Sequence, residues 1–263
     1  MKIKQIAKLI DNGFLNSSIC NFRNVLKTCS LFFSRSGNVD SSAFHINFVR
    51  RDNEFASLCQ KYGTDKGSLV DGSKNHVLKR QLHNYSDFYD FLFSAQRKMM
   101  QSVFECGIGT NKSGAPSSMG ELGIPGASLF VWRDYFPNAQ IFGADIDSDC
   151  IFQDKRISTR QVDQLNADSI NKMWKDFNIE SVDLIIDDGL HTFEGGKILF
   201  ENSIDKLKDG GFYIIEDVLI SEVQKFRKFL DSSPYNAHFV HLIRKGVALG
   251  DNSLIVIRKE SLR

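Results

Sequence analysis

Two aspartates, a glycine and a histidine close the apolar run LIIDDGLH (184–191), and an acidic pair, Glu216 and Asp217, closes FYIIEDV (212–218). Carboxylates are rarely buried alone, so acids at the ends of apolar runs call for a cation or for hydrogen-bond donors. A histidine beside them, His191, can take up or release a proton near neutral pH. Another acid, Glu105, stands in FECGIGTN (104–111), with Gly107 and Gly109 after it. Glycines there let the backbone pass close to a ligand, and the acid can accept the ligand's hydrogen bonds. Lys112 occupies the place of the third glycine of a dinucleotide fingerprint, so a nicotinamide pyrophosphate site is not supported.

These groups act together only if the chain brings several strand ends to one place. From residue 101 onward strands and helices alternate: SVFECGIG, the helix SLFVWRDYF stopped by Pro137, then QIFGADID. A polar helix around DSINKMWKDF leads to VDLIIDD, a helix TFEGGKILFENSIDKLKDGG ends at Gly210 and Gly211, and FYIIEDV follows. Short apolar runs separated by amphipathic helices predict an α/β fold with parallel strands and right-handed crossovers. DNSLIVIRKE (251–260) reads as an antiparallel closing strand. In such a sheet, ligands collect at the carboxyl ends of the strands. Asp145 and Asp147 end the second strand, where a carboxylate can hold the hydroxyls of a ribose, and Asp163 in RQVDQLN can accept from an adenine amino group. Three acids after three successive strands fit an adenosine without pyrophosphate, although each is also an ordinary turn former.

Upstream, KYGTDKGS (61–68) is a polar loop, and RQLHNYSDFYDFLFSAQ (80–96) places Leu82, Tyr85, Phe88, Tyr89 and Leu92 at helical spacing. Residues 1 to about 50 read as mixed helix and irregular chain, with SRSGNVDSS (34–42) as a linker. The division expected is an N-terminal helical or irregular segment (1–59), a covering loop and helix (60–100), and a catalytic domain (101–263). A formal net charge of +1 gives no electrostatic reason to expect nucleic acid. The five cysteines, at 20, 29, 59, 106 and 150, form no C-x-x-C pair, so reduced thiols in a cytoplasmic protein are expected rather than a disulfide framework or zinc. The basic opening is interrupted by Lys and Asp, and no 18-residue apolar run occurs, so neither secretion nor membrane association is expected.

FECGIGTN, GADID, VDQ, LIIDDGLH and DGGFYIIEDV, in this order, resemble the class I S-adenosylmethionine-dependent methyltransferases over residues 100 to 260. More narrowly, YGTDKG, HNYSDFY, PGASLFVWRDYFPNAQIFGADID and DNSLIVIRK resemble the bacterial sugar O-methyltransferases that finish macrolide and other glycosides, from about residue 60 to the end. The resemblance implies a Rossmann-like sheet, S-adenosylmethionine as methyl donor, a divalent cation such as Mg²⁺, a histidine base and a homo-oligomer. It points to Glu105, Gly107, Gly109, Asp145, Asp147, Asp163 and Gln164 for the donor, and to Asp188 and Asp217 as metal ligands with Glu105 or Glu216 as a third.

A sugar hydroxyl is a poor nucleophile at neutral pH, and a cation stabilises the charge that develops on its oxygen. His191, three residues after Asp188, is the expected base, an aid worth about 10² to 10⁴ in rate. The plainer alternatives are a capping or structural role for His191 and a helix-start role for Asp217. Asp65 and Lys66 are candidates to fold over the methyl donor or anchor an anionic substrate group, His83 and Tyr85 to line the acceptor side, and the glycine-rich loop 110–128 to form a lid. The expected function is O-methylation of a sugar or polyol-bearing metabolite. Two alternatives stand beside it: methylation of a carboxylate or phosphoryl oxygen of a surface-polysaccharide precursor, and a non-catalytic nucleoside-binding protein.

Overall fold

The computed structural model describes residues 44–48, 52–67, 82–115, 117–243 and 250–260. The expected linker at 34–42 and the basic opening lie outside them. By compactness the chain divides into two units, residues 1–41 with 248–250 and residues 42–247 with 251–263. Only the second is described below. The sequence boundaries at 59/60 and 100/101 both fall inside it.

Among the described residues, nine strands form one sheet: β1 (Phe44–Asn47), β2 (Ser102–Cys106), β3 (Gln140–Asp145), β4 (Gln153–Asp154), β5 (Ile157–Gln161), β6 (Val182–Asp187), β7 (Leu207–Ile215), β8 (Ala237–Ile243) and β9 (Ser253–Arg258). Their order is β1-β8-β9-β7-β6-β2-β3-β5-β4. The five strands from β7 to β5 run parallel. As the sequence predicts, the last strand is antiparallel, and it inserts between β7 and β8 rather than closing an edge. The helices are α1 (Glu54–Tyr62), α2 (Tyr85–Phe93), α3 (Ala127–Tyr135), α4 (Ala167–Phe177), α5 (Phe193–Glu201) and α6 (Ile220–Asp231).

Side chains alternate across each strand, so a strand buried on both faces feeds two cores. Val103, Leu184 and Ile186 join a cluster with Phe55 of α1, Tyr89 of α2 and Trp132 of α3. Their neighbours Phe104 and Ile185 join the opposite cluster with Trp174 of α4, Phe200 of α5 and Phe226 of α6. Each fully buried large apolar side chain contributes roughly 1.5–3 kcal/mol, so the two cores hold the strand ends rigidly in place. No helix among the described residues is long and apolar enough to cross a membrane.

Several elements differ from the sequence reading. Residues 44–47 form an edge strand beside β8, which the sequence reading omits. Leu82 precedes α2, which begins only at Tyr85. The helix expected to run to Gly210 stops at Glu201, where the Asn202 side chain donates to the Ile198 carbonyl. Gly210 and Gly211 instead lie within β7, where Gly210 donates to Lys259 O and Lys259 donates to Gly211 O. Backbone pairing with the chain beyond β9 thus overrides the glycine pair as a helix stop.

The central strands β2 and β6 are clipped together at their start by one carboxylate. Asp183 Oδ2 accepts from the backbone nitrogens of Gln101 and Ser102, each at 2.8 Å, and from the Ser102 hydroxyl at 3.0 Å. Asp183→Ala leaves half-buried donors unpaired, and we expect a loss of about 1–3 kcal/mol in urea unfolding, with the far-ultraviolet circular dichroism unchanged.

Candidate active site

Because β2, β6 and β7 are adjacent and parallel, their carboxyl ends deliver Glu105, Asp187 with Asp188, and Glu216 with Asp217 to one edge of the sheet. The convergence expected from the sequence is present. At its centre stands a residue from a remote loop. Lys66, 2% exposed, places its ammonium 2.7 Å from Asp188 Oδ2, 2.5 Å from Glu216 Oε2 and 3.1 Å from Glu105 Oε1. Burial raises the carboxyl groups of Glu105 and Glu216 above the usual range, with Lys66 opposing. Burial works against the charge on Lys66, but the three acids outweigh it and hold the amine charged.

Beyond Lys66 lies a cavity of about 210 Å³, lined by Asp65, His83, Tyr85, Asp188, His191 and Asp217 among others. Asp188, His191 and Asp217 each offer an atom within 4.8 Å of the others, and His191 Nε2 lies 3.9 Å from Asp217 Oδ2. Both His191 (φ 56°) and Asp217 (φ 52°) adopt the left-handed conformation, which costs a non-glycine residue about 1–3 kcal/mol and tends to persist at functional sites. The other oxygen of Asp217 is held: Tyr85 donates its hydroxyl to Oδ1 at 2.6 Å, and His83 Nε2 lies 3.5 Å from it. His83 stacks on Tyr85, and its Nδ1 lies 3.2 Å from Asn252 Oδ1. Asn252 uses its amide hydrogens on Asn84 Oδ1 and Leu242 O, so its oxygen accepts and His83 Nδ1 carries the hydrogen. The two carboxylates suit a hard divalent cation that keeps waters or takes substrate oxygens, with the imidazole beside it.

A second cavity, of about 240 Å³, adjoins the first across Gly107, Gly109, Ser117 and Asp188. Its walls are mostly apolar: Ile146, Val162, Leu165 and Leu190, with Asp145, Asp163 and Gln164 at polar points. Ile146 and Leu165 are about half exposed, an apolar rim able to take a flat ring. Gly107 is indispensable in space as well as conformation, since a Cβ there would meet the Asp188 carbonyl oxygen at 2.1 Å. The loop after β2 folds back over this junction. Met119 N donates to Thr110 O, and Ser117, Ser118 and Met119 line the acidic cavity.

Gly107, Gly109, Asp145, Asp163 and Gln164 therefore line the apolar cavity, and Asp65, His83, Tyr85, Asp188, His191 and Asp217 the acidic one. Other expected residues lie elsewhere. Glu105 lines neither cavity: Ser128 and Trp132 donate to its Oε2, and Lys66 pairs with the other oxygen, so it braces the site rather than touching a donor. Asp147 also faces the protein, accepting from Thr110 at 2.6 Å and pairing with Lys112, whereas Asp145 lines the apolar cavity. Lys66 turns toward Glu105, Asp188 and Glu216; the groups placed to hold a metal are Asp188, His191 and Asp217 and, beside them, His83, Asp217 and Asp251. Sequence reasoning missed Asp251, which lines the acidic cavity, and Asn252, which fixes His83. Both lie in the quoted DNSLIVIRKE, whose position beside the site only the sheet order reveals.

No family model matches the chain. It is similar to the mycinamicin VI 2''-O-methyltransferase of Micromonospora griseorubida, 32% identical over 137 residues that take in 52% of this chain and 32% of that one. It is also similar to the 8-demethyl-8-(2-methoxy-alpha-L-rhamnosyl)-tetracenomycin-C 3'-O-methyltransferase of Streptomyces olivaceus, 27% identical over 168 residues, 64% of this chain and 37% of that one. The chain thus spans about a third of the length of these curated relatives. Among solved structures, the MycE methyltransferase of the mycinamycin biosynthetic pathway, in complex with Mg, SAH and mycinamycin VI, superposes with a TM-score of 0.56 at 21% identity, over 80% of this chain and 56% of that one. The fold is therefore the Rossmann-like class I methyltransferase fold that the sequence predicts.

Removing the central ammonium leaves buried carboxylates uncompensated. We expect Lys66→Met to cost about 3–5 kcal/mol in denaturant unfolding, well beyond the effect of Lys112→Met at the exposed ion pair.

Proposed function

We propose that the protein transfers the methyl group of S-adenosylmethionine to a hydroxyl of a sugar or polyol-bearing small molecule, with a divalent cation at Asp188 and Asp217 and His191 as the base. The observation that carries this reading is the junction of an apolar-walled cavity of nucleoside character with an acid-lined one. The relatives are named as O-methyltransferases of glycosylated natural products, which supports the same reaction and acceptor class.

The chain's own groups have distinct tasks. Ile146, Leu165 and Leu190 would flank an adenine, Asp145 would accept from a ribose, and Gly107 and Gly109 let the backbone lie against the amino-acid tail. The acids beyond them favour a sulfonium and an ammonium over an anion. When bound, S-adenosylmethionine supplies an electrophilic methyl and a divalent cation supplies orientation and charge stabilisation for an acceptor oxygen. Asp188 and Asp217 would hold that cation, while Tyr85 and His83 keep Asp217 Oδ1 engaged. His191 Nε2, on the same side as Asp217 Oδ2, would receive the hydroxyl proton as the carbon–oxygen bond forms and the sulfur–methyl bond breaks, leaving S-adenosylhomocysteine. Ser117, Ser118 and Met119 form part of the wall around this step. An anionic acceptor, a carboxylate or a phosphoryl oxygen, would face Asp65, Asp188, Asp217 and Asp251, so the lining of the cavity favours a neutral hydroxyl.

Methyl transfer from labelled S-adenosylmethionine to pooled sugar nucleotides and glycosylated metabolites tests the reading, with Mg²⁺ and with chelator. We expect transfer to collapse on chelation and to fall by about 10² or more in His191→Ala. Transfer that survives thorough chelation removes the metal, and turnover within about tenfold of wild type in His191→Ala removes the base. Asp145→Ala is expected to weaken S-adenosylhomocysteine about tenfold or more by calorimetry, against little change for Asp188→Asn in the absence of metal, because only the first loses a ribose contact.

A further inference from the structure

Two buried polar atoms flanking the LIIDDGLH turn have no hydrogen-bond partner: Oδ2 of Asp187 and Nδ1 of His191. Both residues line one small cavity of about 10 Å³, walled otherwise by Thr192, Ile215, Glu216, Val218 and Phe226. A buried polar atom left without a partner is unfavourable. A space of about 10–15 Å³ with two or more polar partners is what one water molecule needs. The space depends on Gly196, where a Cβ would lie 3.3 Å from Asp187 Oδ2 and 2.8 Å from Phe226 Cζ. The carboxyl group itself is held in place, since Asp187 Oδ1 accepts from Gln164 Nε2 at 2.7 Å and Gln164 Oε1 accepts from Leu190 N at 2.9 Å.

We propose that this cavity is a binding site for a single structural water that joins the two atoms: His191 Nδ1–H donates to the water, and the water donates to Asp187 Oδ2. The inference rests on the reading of His191 as the base and names what orients it. With the hydrogen on Nδ1, the lone pair of Nε2 faces the acidic cavity and can take a proton. Once it has, the imidazolium has a charge-assisted hydrogen bond ready on its far side, relayed to a carboxylate. Water donating to both atoms would put the hydrogen on Nε2 and block that uptake, so only one direction of the relay serves a base. Asp187 is then a positioning residue, acting through the water on His191 and touching neither donor nor acceptor.

The test reads the imidazole directly and needs no acceptor. Nitrogen-15 spectra of the histidine-labelled full chain, with Mg²⁺ and S-adenosylhomocysteine present and His191 assigned by its loss in His191→Gln, are expected to show a protonated Nδ1 and an unprotonated Nε2. Asp187→Asn, which can donate to the water instead of only accepting, should replace that single tautomer with a mixture. A crystal structure of the wild-type chain should show a water within hydrogen-bond reach of both atoms. A predominantly Nε2-protonated His191, a direct contact between Asp187 and His191, or a dry cavity overturns the proposal, and the two wild-type measurements decide it even where Asp187→Asn fails to fold. A single Nδ1 tautomer together with full turnover in His191→Ala would keep the water and discard the base, so the two readings fail separately.

Discussion

The amine of Lys66 is the constraint around which the site is organised. It comes from a loop far upstream and is enclosed by carboxylates from the ends of three adjacent strands. Taking it out of water is costly, and the attraction of three acids is what offsets the cost. Such an arrangement adds little net stability compared with an apolar core of the same volume, yet losing it would leave those acids uncompensated. The same contact fixes Glu216 from one side while the Tyr89 hydroxyl fixes it from the other. The helix that carries Tyr89 also carries Tyr85, so one short segment braces both members of the acidic pair after β7.

Acids outnumber the one ammonium in the lining of the cavity, and that imbalance bears on what it can accept. Cations and neutral polyols are favoured, and anions are repelled at short range where screening by salt is weakest. The neighbouring apolar cavity has the opposite character. The two are separated by little more than a glycine turn whose backbone lies against the Asp188 carbonyl. A ligand with a flat apolar end and a cationic end matches that change of environment along its length.

Much of this was legible in the chain. Alternating strands and helices from residue 101, the acids at their ends and the glycine turn all follow from local pattern, because hydrophobic period and turn chemistry act over a few residues. What was not legible depends on partners from 23 to 150 positions away. Nothing local in YGTDKG says that Lys66 will be swallowed by Glu105, Asp188 and Glu216, and nothing in FECGIG says that Ser128 and Trp132 will claim the acid. Asp145 and Asp147 look alike in sequence, yet only one faces the cavity, because the strand ends between them and Thr110 captures the second. The edge strand at 44–47 and the strand β8 escape a pattern search for a different reason: both are partly exposed and carry a weak apolar alternation.

The shared wall between the cavities has a consequence for how occupancy of one is felt in the other. Gly107, Gly109, Ser117 and Asp188 border both, so a molecule in either changes the surface, charge and freedom of the loop that the other must meet. Binding at the two places is then thermodynamically linked, and linkage is reciprocal: whatever factor the first ligand imposes on the affinity of the second, the second imposes on the first. The glycine turn is thus a shared wall through which such linkage would act.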